Sequence, residues 1–177
     1  MSGALPKRKQ LRLPFFDYST GAAYFITICT HQRQPLFGRI DLLSPEDAPC
    51  LFPALNQPDQ LVIQFLHQLE HKYPTVSLDA YVVMPDHVHF ILFQSAVSGA
   101  HAGAPLQEIL KWFKTQTTNA YIRGVKDGLY LPYQQHLWQR SYYEHIIRNE
   151  MDLNETRSYI ENNPASRWAK MSALRSL

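Results

Sequence analysis

The run Asp86-His87-Val88-His89-Phe90-Ile91-Leu92 sets two histidines one residue apart inside an apolar stretch. Side chains alternate between faces along a β-strand, so His87 and His89 project together while Val88, Phe90 and Leu92 face the other way. Paired neutral imidazoles are half of a divalent-metal site. The same pattern also describes two partly exposed histidines on the polar face of an edge strand. Far downstream, Tyr159 and Asn163 stand four residues apart, which puts a phenol and an amide on one helical face. Each has an ordinary explanation as well: core packing for Tyr159, and a helix C-cap before Pro164 for Asn163. Joined, two histidines and one amide oxygen make a three-ligand site with open positions. That mixed N/O set suits Mg²⁺ or Mn²⁺ holding a phosphate. A tyrosine beside such a metal is a candidate nucleophile. Phenol, with an ordinary pKa of about 10, is weak at neutral pH, and a metal both helps activate it and stabilises charge on the phosphoryl group. Attack would leave a phosphotyrosine that conserves the cleaved phosphodiester's energy for rejoining.

Elements must hold these residues in place. Residues 1–20, basic and aromatic with Pro6 and Pro14, read as an extended arm, and residues 21–177 as one domain. Tyr24 to Thr30 is rich in β-branched and aromatic residues and predicts a first strand. The prolines of 41–58 predict a loop. Leu61, Phe65, Leu66 and Leu69 recur at helical spacing, predicting a helix over Asp59–Tyr73 ended by Pro74. Leu78–Met84 and His87–Phe93 predict a hairpin turning at Pro85-Asp86. After a loop at 94–104, Pro105 opens a second helix to about Arg123. Leu137–Tyr142 predicts a fourth strand and Glu144–Arg148 a short helical turn. A third helix is expected over Asp152–Asn162, with Asp152 as N-cap, Glu155 completing a capping box, and Pro164 stopping it. The order β-α-β-β-α-β suggests an α+β fold, a ferredoxin-like antiparallel sheet with helices on one face and an additional C-terminal helix carrying the tyrosine.

Bulk properties narrow the class only modestly. At 177 residues, 45% hydrophobic and 18% charged, the chain suits a single folded domain. Its net charge of +2 is too small to specify a polyanion partner. The distribution says more: both the N-terminal arm and the C-terminal half are basic, which is compatible with phosphate-backbone binding and equally with solvated surface. Cys29 and Cys50 are too few for a disulfide framework or a Cys-rich zinc site. Neither a signal-peptide core nor a window of transmembrane length stands out, so a cytoplasmic, nucleoid-associated location is expected.

The chain resembles the REP-associated tyrosine transposases, in the single-tyrosine HUH endonuclease superfamily. The blocks that carry the resemblance are Phe16-Asp17-Tyr18-Ser19, Tyr24 to Thr30 with Arg33 and Leu36-Phe37-Gly38, Val82 to His89, Phe113-Lys114, Trp138 to Asn149, and Tyr159-Ile160-Glu161-Asn162-Asn163-Pro164. His-x-His alone is a weak signal; these blocks in this order are specific. The resemblance implies metal-dependent cleavage and joining of single-stranded DNA through a 5′-phosphotyrosine. It matches His87 and His89 to the HUH metal pair, Tyr159 to the nucleophile and Asn163 to the third ligand. The implied partner is single-stranded or hairpin DNA of REP-like palindromes, and the implied cofactor Mg²⁺ or Mn²⁺. A monomer is favoured, with a dimer left open.

Other residues compete for roles. Tyr142 and Tyr143 lack a ligand-type residue four positions on and read as packing or base-stacking groups. His145 reads as a structural hydrogen-bonding group. Arg8, Lys9, Arg12, Lys114 and Arg148 are candidate DNA-phosphate contacts, and Trp112, Trp138 and Phe15 candidate base-stacking rings. Two other functions stay open: a catalytically silent hairpin-binding protein of the same family, and a metal-dependent hydrolase in which metal-bound water attacks.

Overall fold

A computed structural model describes residues 21–38, 57–95 and 104–175, with side chains described as far as Pro164 of the last helix. Four strands, β1 (Ala22–Cys29), β2 (Val76–Met84), β3 (His87–Gln94) and β4 (Tyr143–Ile147), form an antiparallel sheet ordered β2-β3-β1-β4. Helix α1 (Gln57–Lys72) lies between β1 and β2 in sequence, α2 (Leu106–Lys126) between β3 and β4, and α3 (Glu150–Arg175) follows β4. This is the expected α+β order with its additional C-terminal helix. The arm with Arg8, Lys9, Arg12 and Phe15 lies outside the described residues, as does Cys50.

Strand alternation divides the molecule into two apolar layers. Tyr24, Ile26 and Ile28 of β1 join Val88, Phe90 and Leu92 of β3 beneath α1 and α2. The helices meet them with stripes at helical period: Val62, Phe65, Leu66 and Leu69 from α1, and Leu106, Ile109, Leu110 and Phe113 from α2. On the other face, Ala23, Phe25, Val82, Met84, Ile91 and Ile147 pack with Ile160 and Leu153 of α3. A fully buried Leu, Ile or Phe contributes roughly 1.5–3 kcal/mol. The first layer, with many more such side chains, therefore dominates stability, and α3 is held by the thinner one.

Three local expectations are corrected. The fourth strand is Tyr143–Ile147, the segment expected to be a helical turn, and Leu137–Tyr142 is irregular. With both faces of the sheet covered, Ile146 and Ile147 are both buried on opposite sides, which erases the alternation that marks a half-buried strand. Leu137 and Trp138 are buried as a loop instead: Trp138 makes a single bridge to Thr30, and its indole N–H donates to Thr117 Oγ1 at 2.8 Å. Helix α3 begins at Glu150, and Asn149 caps it by accepting the Asp152 N–H at 2.9 Å, so Asp152 occupies the first turn rather than the cap. Pro164 lies within α3 instead of ending it. Its missing N–H leaves the Ile160 carbonyl without its helical donor. The preference of Asn163 for extended backbone is a bias, outweighed here as Pro164 becomes buried.

Candidate metal and nucleophile site

The turn that carries His87 is fixed before the histidines are placed. Thr30 donates its N–H to the Asp86 carbonyl at 2.9 Å, its hydroxyl is shared between the carbonyls of Gln34 (2.8 Å) and Asp86 (3.0 Å), and the Phe37 N–H donates to the Pro85 carbonyl at 2.9 Å. Gln32 and Arg33 adopt left-handed backbone, φ 52° and 56°, and this bend brings the Arg33 guanidinium to 3.7 Å from Asp86 Oδ2. Asp86 Oδ1 lies 2.6 Å from His87 Nδ1. A carboxylate only accepts, so Nδ1 carries the proton and the Nε2 lone pair is left for a ligand.

His87 and His89 share the sheet face that α3 covers, their rings 4.5 Å apart between centroids. β3 is an inner strand and the two residues are only 6% and 5% exposed, which excludes partly exposed histidines on an edge strand. His89 stacks on Phe25 at 5.4 Å and 21°, and its Nδ1 lies 2.8 Å from the Thr27 hydroxyl. Burial, reinforced by His87 and Arg33, pulls its pKa down to about 3, so the imidazole is neutral across the physiological range.

Tyr159 comes to this pair from α3 within the same chain. Its ring lies 5.3 Å from that of His89 and meets Phe25 edge-on at 5.8 Å, while the residue stays 52% exposed. Asn163, one helical turn later on the same flank, is half-buried. Among the described residues no group of three His, Cys, Asp or Glu side chains could hold a metal ion. The two imidazoles, each with its Nδ1 atom engaged by Asp86 or Thr27, are the nitrogen donors the fold brings together, and Asn163 lies on the same flank of α3 as Tyr159. A neutral N/O set of that kind accepts a hard divalent cation that also binds phosphate oxygens.

The remaining candidates separate clearly. Lys114 donates to the carbonyls of Gln139 (2.8 Å), Arg140 (3.2 Å) and Ser141 (3.4 Å), so its ammonium holds the segment before β4. Burial lowers its pKa to about 8. Arg148 is exposed, with its backbone N–H donated to Asp152. His145 is bonded to the Asp152 carboxylate at 2.9 and 3.0 Å, a structural contact. Trp112 packs edge-on against Phe65 and Tyr73. Tyr143 is 59% exposed beside Phe25, and Cys29 is half-buried. Sequence reading did not single out Asp86, Thr27 or Phe25 for the site. Alternation along β1 puts Phe25, Thr27 and Cys29 on one face, a legible signal; that this is the histidine face depends on register.

Comparison with known proteins decides the family. The family described as "Transposase IS200 like" matches residues 54–163, which include both histidines, Tyr159 and Asn163. The chain belongs to the IS200-like transposases. An uncharacterised protein of Haemophilus influenzae is 31% identical over 166 residues, covering 89% of this chain and 88% of its own. The solved structure of a REP-associated tyrosine transposase bound to a REP hairpin superposes with a TM-score of 0.56 at 22% identity, over 90% of this chain and 77% of the other, and shares its fold. A transposase role accounts for an enzyme with a buried imidazole pair facing a half-exposed phenol. No helix among the described residues of this IS200-like transposase is long and apolar enough to cross a membrane.

Proposed function

We propose that this transposase cleaves and rejoins single-stranded DNA at REP-type hairpins through a 5′-phosphotyrosine on Tyr159. The observation that carries the reading is the Tyr159 ring 5.3 Å from His89, in one chain, at a buried histidine pair whose Nδ1 atoms are engaged by Asp86 and Thr27. Its hairpin partner is suggested by the REP hairpin in the superposed relative. The role belongs with DNA, in the cytoplasm and at the nucleoid, and a monomer is favoured over a dimer because Tyr159 and the histidines meet in one chain.

His87, His89 and Asn163 would hold Mg²⁺ or Mn²⁺, which when bound supplies charge stabilisation at the phosphate and lowers the phenol's proton affinity. The chain's own residues do the rest. Asp86 and Thr27 orient the imidazoles through their Nδ1 atoms. Phe25 packs against both the His89 and Tyr159 rings, setting their spacing. Tyr159 Oη, losing its proton, bonds to phosphorus as the P–O3′ bond breaks, and the departing 3′ oxygen takes up a proton. In rejoining, a 3′-hydroxyl attacks the phosphotyrosine and returns the phenol. The exposed Arg148 and the basic arm residues Arg8, Lys9 and Arg12 are the proposed phosphate contacts. Lys114, with its ammonium turned to three carbonyls, would act by shaping the adjacent loop.

The test is a denaturing gel with Mn²⁺ and a hairpin oligonucleotide carrying a single-stranded flank, labelled at either end. Cleavage through Tyr159 leaves the 3′-end label on the protein and releases the 5′-labelled fragment with a free 3′-hydroxyl. Tyr159→Phe should abolish the adduct. Cleavage that survives this substitution would support water as nucleophile. Tight hairpin binding by the native chain without cleavage would support a silent DNA-binding protein.

A further inference from the structure

The layer that docks α3 is thin, and Tyr159 needs more than apolar contact to face His89. A helix turns about 100° per residue, so a small roll about its axis would carry the phenol off the histidines. Leu153 and Ile160 pack against the sheet, and such slippery contacts resist lifting better than rolling. Two polar contacts lie on opposite flanks of that stripe. On the β4 side, the Asp152 carboxylate accepts from His145 and from the Arg148 N–H. On the β2 side, Arg157 forms a two-pronged pair with Asp79: Nε to Oδ2 at 2.8 Å and Nη2 to Oδ1 at 2.6 Å. Arg157 and Tyr159 are two residues apart, about 200° of helical rotation, so the fork grips one flank while the phenol occupies the other.

The strand is built to present that carboxylate. Leu78 pairs with Leu92 and Tyr81 with Phe90, so Asp79 and Ala80 together oppose the single residue Ile91. This β-bulge lets both residues address the α3 face, Ala80 against the apolar layer and Asp79 toward Arg157. Bulges re-aim side chains in this way beside functional sites.

We propose that Asp79 and Arg157 form a positioning latch that sets the roll of α3 and so aims Tyr159 at His87 and His89. It rests on Tyr159 being the nucleophile. Neither latch residue touches the reacting atoms. Arg157 is matched to a carboxylate in a planar two-bond geometry that lysine cannot reproduce.

The test uses the full chain with Asp79→Asn, Arg157→Lys, and the exchanged pair Asp79→Arg with Arg157→Asp. Three quantities are read: the single-turnover adduct rate at saturating hairpin DNA, hairpin affinity by anisotropy, and the ¹⁹F spectrum of 3-fluorotyrosine at position 159. Each single substitution should slow adduct formation by about tenfold or more, since small misplacements of reacting groups are costly. Affinity should hold, and the fluorine resonance should move away from its position against Phe25 and His89. The exchanged pair should recover part of both rate and resonance. Native rate and resonance in Asp79→Asn would overturn the latch. So would lost affinity in Arg157→Lys with Asp79→Asn unaffected, because Arg157 would then be a DNA contact. If the native chain forms no adduct at all, the nucleophile assignment fails, and the fluorine spectra still decide whether the pair sets the ring's position.

Discussion

At the scale of single residues, the site depends on groups that never meet the substrate. Asp86 is the clearest: its carboxylate stands between His87 Nδ1 at 2.6 Å and the Arg33 guanidinium at 3.7 Å. Partners of this kind orient a ligating imidazole and raise its basicity, and their loss costs about 10–100-fold in metal affinity. Asp86→Asn should therefore weaken Mn²⁺ binding by roughly that factor in calorimetric titration, with the far-ultraviolet circular dichroism unchanged. Unaltered affinity would remove Asp86 from the site. That His87 and His89 share one sheet face, and Tyr159 and Asn163 one helical flank, was legible because period-2 and i,i+4 spacing are local properties of the chain. Asp86 was adjacent in sequence yet not singled out, since its role follows from a side-chain direction that the Thr30 and Phe37 hydrogen bonds impose on the turn.

At the scale of elements, α1 and α2 could be read directly from apolar stripes at helical period, and β1 and β3 from unbroken runs of β-branched and aromatic residues that are buried on both faces. β4 could not. Its consecutive Ile146 and Ile147 face the main core on one side and the layer beneath α3 on the other, while Tyr143 is exposed, so neither strand nor helix periodicity survives. The bulge at Asp79 and Ala80 is equally silent in the sequence, being a property of pairing with β3. Gly124 shows how tertiary contact reverses a propensity. Alanine within a helix is normally better than glycine by about 0.5–1 kcal/mol. A Cβ at Gly124, however, would sit 2.2 Å from the Tyr130 ring, which packs on Tyr121 at 5.0 Å. Gly124→Ala should destabilise the protein by about 1–3 kcal/mol in urea unfolding, the usual cost of overpacking. A stabilised variant would mean that Tyr130 swings aside freely.

At the scale of the whole molecule, Tyr159 and the histidines meet within one chain, with polar contacts on both flanks of α3 and a shared apolar layer between. A mixture of Tyr159→Phe chains with His87→Ala/His89→Ala chains should therefore yield no labelled adduct. An adduct appearing only in the mixture would show that the tyrosine serves a neighbouring chain. Sequence spacing alone could not address this point, because it is blind to which copy of a helix lies on which sheet. The connection into α3 has a further consequence. Only Arg148 and Asn149 separate β4 from α3, and Tyr159 lies nine residues beyond Glu150. The phenol is thus on a tether of about 10 Å of extended chain and about 14 Å of helix. Were a DNA end carried on Tyr159, it could travel from the end of β4 no farther than that tether and the side chain's own reach, so long as α3 stays helical. A 3′-hydroxyl receiving that end would have to lie within the same short span, so the two strands to be joined would have to stand side by side at the end of the sheet.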